Sequence, residues 1–324
     1  MIVDQHSRVH DYLRISLTER CNLRCFYCMP EEGILLRPRN DFMSFEEVVA
    51  MAKTFVSLGV KKIRLTGGEP LIRKDAKEIF KALSELPVEL AITTNGILVD
   101  DYMDTFQSCG IKSINVSLDS LKEEKFNSIT RRDYFSRVTA NIESLLDKKF
   151  HVKVNAVVIK GVNDDEVCDF VSWTRNRNVH VRFIEFMPFQ GNKWDWSKGV
   201  SFKEMMSIIE TRFGNNIIKL DDGKNDTAKN YAIADHLGTF AIISSVTNPF
   251  CDTCNRIRLT ADGKMKNCLF SSSETDLLSA MRAGEDIEPL ILKSIWGKKA
   301  LRGGIETLDD FAKQKNRTMV AIGG

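Results

Sequence analysis

Six short runs rich in β-branched residues, at 12–18, 60–66, 88–94, 111–118, 152–159 and 179–186, alternate with helical patterns at 44–58, 74–83, 99–109, 135–148 and 165–175. Strict strand–helix alternation predicts a parallel sheet, either an open doubly wound form or a barrel. The strand faces decide between them. Leu13, Ile15 and Leu17 alternate with Arg14, Ser16 and Thr18, and Ile63 and Leu65 alternate with Lys62, Arg64 and Thr66. Ile114, Val116 and Leu118 are set against Asn115, Ser117 and Asp119, and Val152 and Val154 against Lys153 and Asn155. A sheet covered by helices on both faces would carry nearly continuous apolar strands. One polar face per strand fits a curved sheet with helices outside only, hence an incomplete (β/α)6 TIM-type barrel in an α/β fold. Arg14, Lys62, Arg64, Lys153 and Arg182 then point into one lumen. Buried cations need partners, so their convergence implies a polyanionic ligand such as a nucleoside triphosphate. The alternative for any one of them is a solvated place at a strand end.

The chain of 324 residues is 43% hydrophobic, enough for one large core. We place the barrel at 1–199 and a smaller C-terminal α+β cover domain at 200–324. A net charge of +2, from 46 basic and 44 acidic residues, gives no support for nucleic-acid binding. No run approaches a membrane span, and the N-terminus lacks a signal-peptide apolar segment. With eight cysteines, this predicts a cytoplasmic protein whose clustered thiols bind metal rather than form disulfides. Cys109 and Cys168 stand alone and read as small apolar residues.

The remaining cysteines form two triads, Cys21, Cys25, Cys28 and Cys251, Cys254, Cys268. Three thiolates leave one coordination position of a metal centre free for a small molecule. The first triad follows the first strand, where barrel enzymes carry their chemistry. Gly67-Gly68-Glu69-Pro70 follows the second, and its glycine pair would let a ligand approach the backbone. Thr93-Thr94-Asn95-Gly96, Ser117-Leu118-Asp119 and Glu185-Phe186-Met187-Pro188 close the third, fourth and sixth. The second triad spans a β-hairpin turning at Asp262-Gly263, with Arg256 and Arg258 on one strand face. Zinc is the competing occupant of either triad.

CxxxCxxC after the first strand, with GGEP after the second, resembles the radical S-adenosylmethionine superfamily. Together with CDTCNRIRLTADGK it resembles the GTP 3′,8-cyclase family of molybdenum cofactor biosynthesis. The likeness runs nearly the whole chain, through CNLRCFYCMP, IRLTGGEPLIR, INVSLDSL, KVNAVVIKGVND and RFIEFMPF to Gly323-Gly324. Asn267, before the last cysteine, is a minor departure. The resemblance implies two 4Fe-4S clusters, one on each triad, and S-adenosylmethionine beside Tyr27, Gly68, Ser117 and Met187. It implies GTP contacts from Arg14, Arg64, Thr93, Lys153, Arg256 and Arg258, with guanine at the open iron of the second cluster. Gly323 and Gly324 would reach into the site and assist catalysis.

The reaction implied is a lyase-type radical cyclisation. A 5′-deoxyadenosyl radical takes the ribose 3′-hydrogen of GTP and C3′ bonds to C8, giving (8S)-3′,8-cyclo-7,8-dihydroguanosine 5′-triphosphate. Implied partners are an electron donor, a downstream cyclic pyranopterin monophosphate synthase and a second copy in a homodimer. Two readings compete: a twin-cluster radical enzyme acting on a peptide or partner enzyme, and a zinc-stabilised binding module. Trp194 and Trp196 could stack a base, but packing of the barrel-to-tail connection is the favoured reading.

Overall fold

The computed structural model describes residues 1–30, 33–34, 37–313 and 316–323. Six parallel strands lie side by side in chain order: β1 (Tyr12–Ser16), β2 (Lys62–Thr66), β3 (Glu89–Thr94), β4 (Ser113–Ser117), β5 (His151–Val158) and β6 (His180–Glu185). Each lies within a residue of the expected limits or inside them. Around them run α1 (Phe45–Ser57), α2 (Ala76–Ser84), α3 (Met103–Ser108), α4 (Glu123–Thr130), α5 (Phe135–Asp147) and α6 (Val167–Trp173). Ser44 opens α1 with a capping box, accepting from the Glu47 amide while Glu47 accepts from the Ser44 amide, which satisfies two orphan donors at once. Helix α4 has no counterpart among the expected helices, because it is short and buries only Phe126, Ile129 and Thr130.

The alternation works as anticipated. Leu13, Ile15, Ile63, Leu65, Ile114 and Val116 are fully buried and share one core with Val48, Met51 and Phe55 of α1 and Val138, Ile142 and Leu145 of α5. The opposite faces line a lumen.

The last third of the chain behaves differently from a separate cover. It forms α7 (Phe202–Phe213), β7 (Ile217–Lys219), β8 (Ala228–Ile233), β9 (Thr239–Ile243), β10 (Arg256–Leu259), β11 (Lys264–Lys266) and β12 (Thr275–Asp276). Then follow α8 (Leu277–Arg282), α9 (Glu288–Trp296), α10 (Leu308–Lys313) and α11 (Met319–Ile322). The sheet order is β12-β11-β10-β1-β2-β3-β4-β5-β6-β9-β8-β7. Strand β10 pairs in parallel with β1, Tyr12 opposite Arg256, and β9 pairs in parallel with β6, Val181 opposite Phe240. The α+β segment therefore extends the barrel sheet at both open edges.

Register also sets the two triads apart. Cys21, Cys25 and Cys28 follow β1 at the carboxyl rim. Cys251 and Cys254 precede β10, whose first residue is level with the start of β1, so they lie at the amino rim. The β10–β11 hairpin pairs Arg258 with Lys266 and Leu259 with Met265, turns at Asp262-Gly263 as expected with Gly263 at φ +68°, and returns Cys268 to the same rim. A five-residue strand separates the rims by roughly 16 Å.

Candidate active site

All six triad cysteines line one cavity of about 410 Å³, enclosed by the inward faces of β1–β6 and by the segment from Asp226 to Phe270. That volume lies within the usual range for small-molecule sites. Of the expected ligand-contacting residues, Arg14, Tyr27, Arg64, Gly68, Thr93, Ser117, Lys153, Met187, Arg256 and Arg258 all line it. Gly324 lies outside the described residues.

The first triad sits in an electronegative corner. Burial raises the Cys21 thiol to about 11, with the Glu69 carboxylate adding to it. Burial likewise pushes Cys25 and Cys28 up, with Asp119 and the neighbouring thiols contributing. Tyr27 donates to Asp119 Oδ2 at 2.6 Å, and the Val157 amide donates to Asp119 Oδ1 at 2.8 Å. Asp119 is nonetheless raised to about 6 by burial. Glu69, fully buried, accepts from the Leu71 amide, Thr94 Oγ1 and the Asn95 amide, and burial raises it to about 7. It thereby orients Asn95, whose Nδ2 points at Cys21 Sγ, 3.8 Å away. The Leu23 amide donates to the same sulfur at 3.4 Å.

The glycine pair lines the cavity and has a second reason beside the one expected. A Cβ on Gly68 would stand 2.3 Å from the Arg20 carbonyl oxygen, and one on Gly67 would stand 2.8 Å from the Thr18 carbonyl oxygen. These residues are glycine because the segment 18–20, which leads from β1 into the cysteine loop, packs directly on them. Replacing Gly68 with alanine is expected to displace that loop, at about 1–3 kcal/mol for the overpacking, and to lower iron bound by the first triad by at least half. Iron per chain, compared with Cys21→Ser, measures it; full iron loading in the variant would contradict the packing account.

The second triad sits among cations. Lys298 Nζ donates to Cys254 Sγ at 3.5 Å, and the Arg302 amide donates to Cys251 Sγ at 3.3 Å. Burial alone would raise Cys254, but Lys298 and Arg256 outweigh it and the thiol is lowered. Arg8 bonds the Cys251 carbonyl at 2.8 Å and holds this loop to the N-terminal segment. Among the described residues no three Cys, His, Asp or Glu side chains are close enough to hold a single ion. Sulfur-only donors around a wider gap, with N–H groups aimed at the sulfurs, suit an iron–sulfur cluster better than one zinc.

Between the rims lies the cationic wall that the strand faces predict. Arg14 is lowered to about 10 and Arg182 and Arg258 to about 9, burial coming first in each case and neighbouring guanidiniums adding to it. Burial, then Arg182 and Arg64, lowers Lys153 to about 8. Burial would raise the Tyr12 phenol, but Arg64 and Arg14 bring it to about 7, and Arg64 Nε donates to its oxygen at 2.5 Å. Lys62, the first residue of β2, also lines the cavity, with its ammonium 5.6 Å from the Tyr12 ring centroid and paired with the exposed Glu89 at 2.6 Å. Thr93 Oγ1, Asn115 Oδ1 and Arg256 Nη1 are buried without a hydrogen-bond partner, and orphaned groups lining a cavity are what a polar ligand satisfies.

The terminal segment enters this cavity. Val320 hydrogen-bonds the Cys28 thiol through its backbone, and Arg258 donates to the Gly323 carbonyl. Gly323, at φ +78°, lies against Ser16 and Thr66, the last inward-facing residues of β1 and β2. Arg317 ties the segment down through Glu19 at 2.8 Å and Asp262 and Glu274 at 3.1 Å. That clamp escaped sequence reading, because nothing in an isolated Arg, Asp or Glu marks it as buried. Trp194 donates to the Phe186 carbonyl and packs with Trp196 and Phe311, as the packing reading anticipated. Cys109 is buried.

Comparisons with known proteins meet this geometry directly. Residues 15–174 match the Radical SAM superfamily and residues 179–302 match Molybdenum Cofactor Synthesis C. The mitochondrial GTP 3′,8-cyclase of Arabidopsis thaliana is 48% identical over 330 residues, covering 100% of this chain and 84% of the relative. The chain belongs to the GTP 3′,8-cyclase family. A GTP 3′,8-cyclase of Rhodopirellula baltica is 41% identical, covering 100% of this chain and 92% of its own length. The family extends to longer chains: Drosophila melanogaster molybdenum cofactor biosynthesis protein 1 is 47% identical over 92% of this chain, which spans 54% of it. In shape, Streptococcus suis SuiB aligns at a TM-score of 0.62 over 94% of this chain and 70% of its own, with 15% identity, a likeness of fold alone. No helix is long and apolar enough to cross a membrane among the described residues.

Proposed function

We infer that this protein is a radical S-adenosylmethionine GTP 3′,8-cyclase of molybdenum cofactor biosynthesis. It converts GTP to (8S)-3′,8-cyclo-7,8-dihydroguanosine 5′-triphosphate by joining ribose C3′ to guanine C8. The observation that carries this reading is the pairing of two three-thiol sites across one cation-walled cavity in a member of this family. When bound, the first cluster with S-adenosylmethionine supplies a 5′-deoxyadenosyl radical and the second supplies an open iron for guanine.

This chain's residues do the holding. Cys21, Cys25 and Cys28 carry the first cluster, with Tyr27, Gly68, Ser117 and Met187 around S-adenosylmethionine. Cys251, Cys254 and Cys268 carry the second. Arg14, Arg64, Lys153, Arg256 and Arg258 neutralise the triphosphate, and Thr93 offers its unused hydroxyl. Mutual repulsion among these cations is relieved when the anion enters, so the empty site is electrostatically poised for it. Gly323, seated against Ser16 and Thr66, closes this side of the cavity and excludes water, and the Gly323-Gly324 pair assists the radical step. Orientation of two ligands in a dry cavity is the protein's share of such chemistry.

Lys153 makes GTP binding sensitive to pH. A phosphate partner favours the charged amine, so affinity is expected to be highest below about pH 8 and to fall as pH rises through that value. Lys153→Met should bind more weakly and lose this alkaline limb; an unchanged limb would assign it to another group.

The proposal includes an external electron donor, a downstream cyclic pyranopterin monophosphate synthase and a homodimer as partners, and a functional division near residue 199. Eight free thiols support a reducing compartment such as the cytoplasm. An anaerobic assay with S-adenosylmethionine, reductant and GTP tests the core reading. GTP-dependent 5′-deoxyadenosine with the cyclised nucleotide is expected, and its absence from protein loaded with both clusters would refute it.

A further inference from the structure

Lys298 follows α9 and is buried, 3% exposed, at the amino rim. Its ammonium donates to Cys254 Sγ at 3.5 Å and to the Arg256 carbonyl at 3.2 Å, and lies 3.5 Å from His10 Nδ1. His10 is fully buried with Nε2 3.0 Å from Asp4 Oδ2, and burial followed by Lys298 lowers it to about 4. The imidazole is therefore neutral, with Nδ1 accepting from Lys298. Asp4 makes its own ion pair with Arg8 at 2.6 Å. Among the described residues, no carboxylate lies within salt-bridge distance of Lys298.

A buried ammonium without a counter-charge is costly, and natural proteins pair such groups. Here the anion on offer is sulfur. Lys298 also acts electrostatically on Cys268, so two of the three ligands feel the same charge. At the first triad, after burial, the neighbouring charges Glu69 and Asp119 push the Cys21 and Cys25 thiols up, and Arg24 opposes them only weakly at Cys21. The two centres thus sit in opposite fields.

We propose that Lys298 tunes the second triad: its buried ammonium, seated against Cys254 Sγ, raises the one-electron reduction potential of the iron–sulfur cluster held there. This rests on the reading that the second triad carries a cluster. Reduction adds one electron to the cluster, and a positive charge beside its sulfurs stabilises the more negative, reduced form. Hydrogen bonds and charge near cluster sulfurs are established levers on potential. Lys298 is a positioning and tuning residue and is not placed against substrate.

The test is EPR-monitored redox titration of the anaerobic holoenzyme with both clusters loaded. The second-triad wave is the one missing in Cys254→Ser. In Lys298→Met that wave is expected to move to more negative potential by a tenfold change in the reduction equilibrium, about 59 mV for one electron. The other wave should stay in place, and Lys298→Arg should recover most of the shift. An unmoved second wave in fully loaded Lys298→Met overturns the proposal. If the Met variant does not hold the second cluster, Lys298→Gln keeps N–H donors without the charge. The same negative shift there supports the proposal, and failure of both variants to load shows a purely structural residue and overturns it. If Cys254→Ser loses neither a wave nor iron, the cluster reading itself has failed, separately from Lys298.

Discussion

Replacing Gly323 with alanine is expected to cut formation of the cyclised nucleotide at least thirtyfold while leaving iron content and GTP affinity within about twofold. The Cβ would meet Thr66 Oγ1 at 2.7 Å and Ser16 Cβ at 2.9 Å, and the backbone is at φ +78°. Strain at such a backbone costs about 1–3 kcal/mol and overpacking about as much again. Together, about 2 kcal/mol at the least unseats the tail by a factor of about thirty. The tail would leave, the Arg258 bond to the Gly323 carbonyl would be lost, and solvent would gain entry. Chromatography of the nucleotide products under anaerobic turnover measures this. Turnover within threefold of the unaltered protein would mean that the seated tail plays no part in the reaction. Removal of Gly323 and Gly324 together should give the same phenotype, without the strain argument.

Arg182→Met should separate binding from stability in opposite directions. Arg182 is half-buried on β6, facing the cavity, and donates to Asn155 Oδ1 at 2.9 Å; desolvation together with Arg64, Arg14 and Arg256 disfavours its charge. Removing a partly desolvated cation that faces other cations relieves desolvation and repulsion, so the ligand-free protein should unfold at the same temperature or higher. Replacement of buried charges by apolar residues is often neutral or stabilising by 1–4 kcal/mol. With GTP the sign reverses. Losing one partner of a buried charge pair costs about 2–5 kcal/mol, or at least about thirtyfold in affinity. Calorimetric unfolding and equilibrium GTP binding give the two readouts. A lower unfolding temperature with unchanged affinity would make Arg182 a strut between β5 and β6 rather than a ligand contact.

The inward faces of the barrel were legible because their pattern is local. Alternation of Arg14 with Leu13 and Ile15, or of Lys153 with Val152 and Val154, is fixed by the pleat of one strand. The hairpin at Asp262-Gly263 was readable for the same reason. What escaped depends on pairing between distant residues. Nothing in residues 12–16 announces that their outer neighbour is 256–259, so the closure of both sheet edges and the placing of the triads at opposite rims were not visible. The glycine pair was recognised as cavity-lining but its packing cause was not, because the obstacle to a Cβ on Gly68 is the carbonyl of Arg20. Lys298 and Glu19 look like ordinary surface charges until the fold buries them, and Arg317 until it is drawn into their neighbourhood by Glu19, Asp262 and Glu274. Arg182 lay between, expected in the lumen from its strand but absent from the residues matched to GTP.

The edge pairing also governs how the chain is made. Strand β1 must wait for β10, about 240 residues later, and at 5–20 residues per second that is roughly 12–48 seconds of synthesis. Throughout that interval the β1 margin is unpaired, and the β6 margin, complete at residue 185, waits for β9 at 239–243; an open margin is the state most open to wrong partners. The loop with Cys21, Cys25 and Cys28 emerges early, yet the cavity it faces does not exist until the last strands arrive. A ribosome-bound fragment can therefore form the first thiol site without the chamber that confines its chemistry. Chaperone access to the growing sheet and late delivery of iron are the demands that this topology places on the cell.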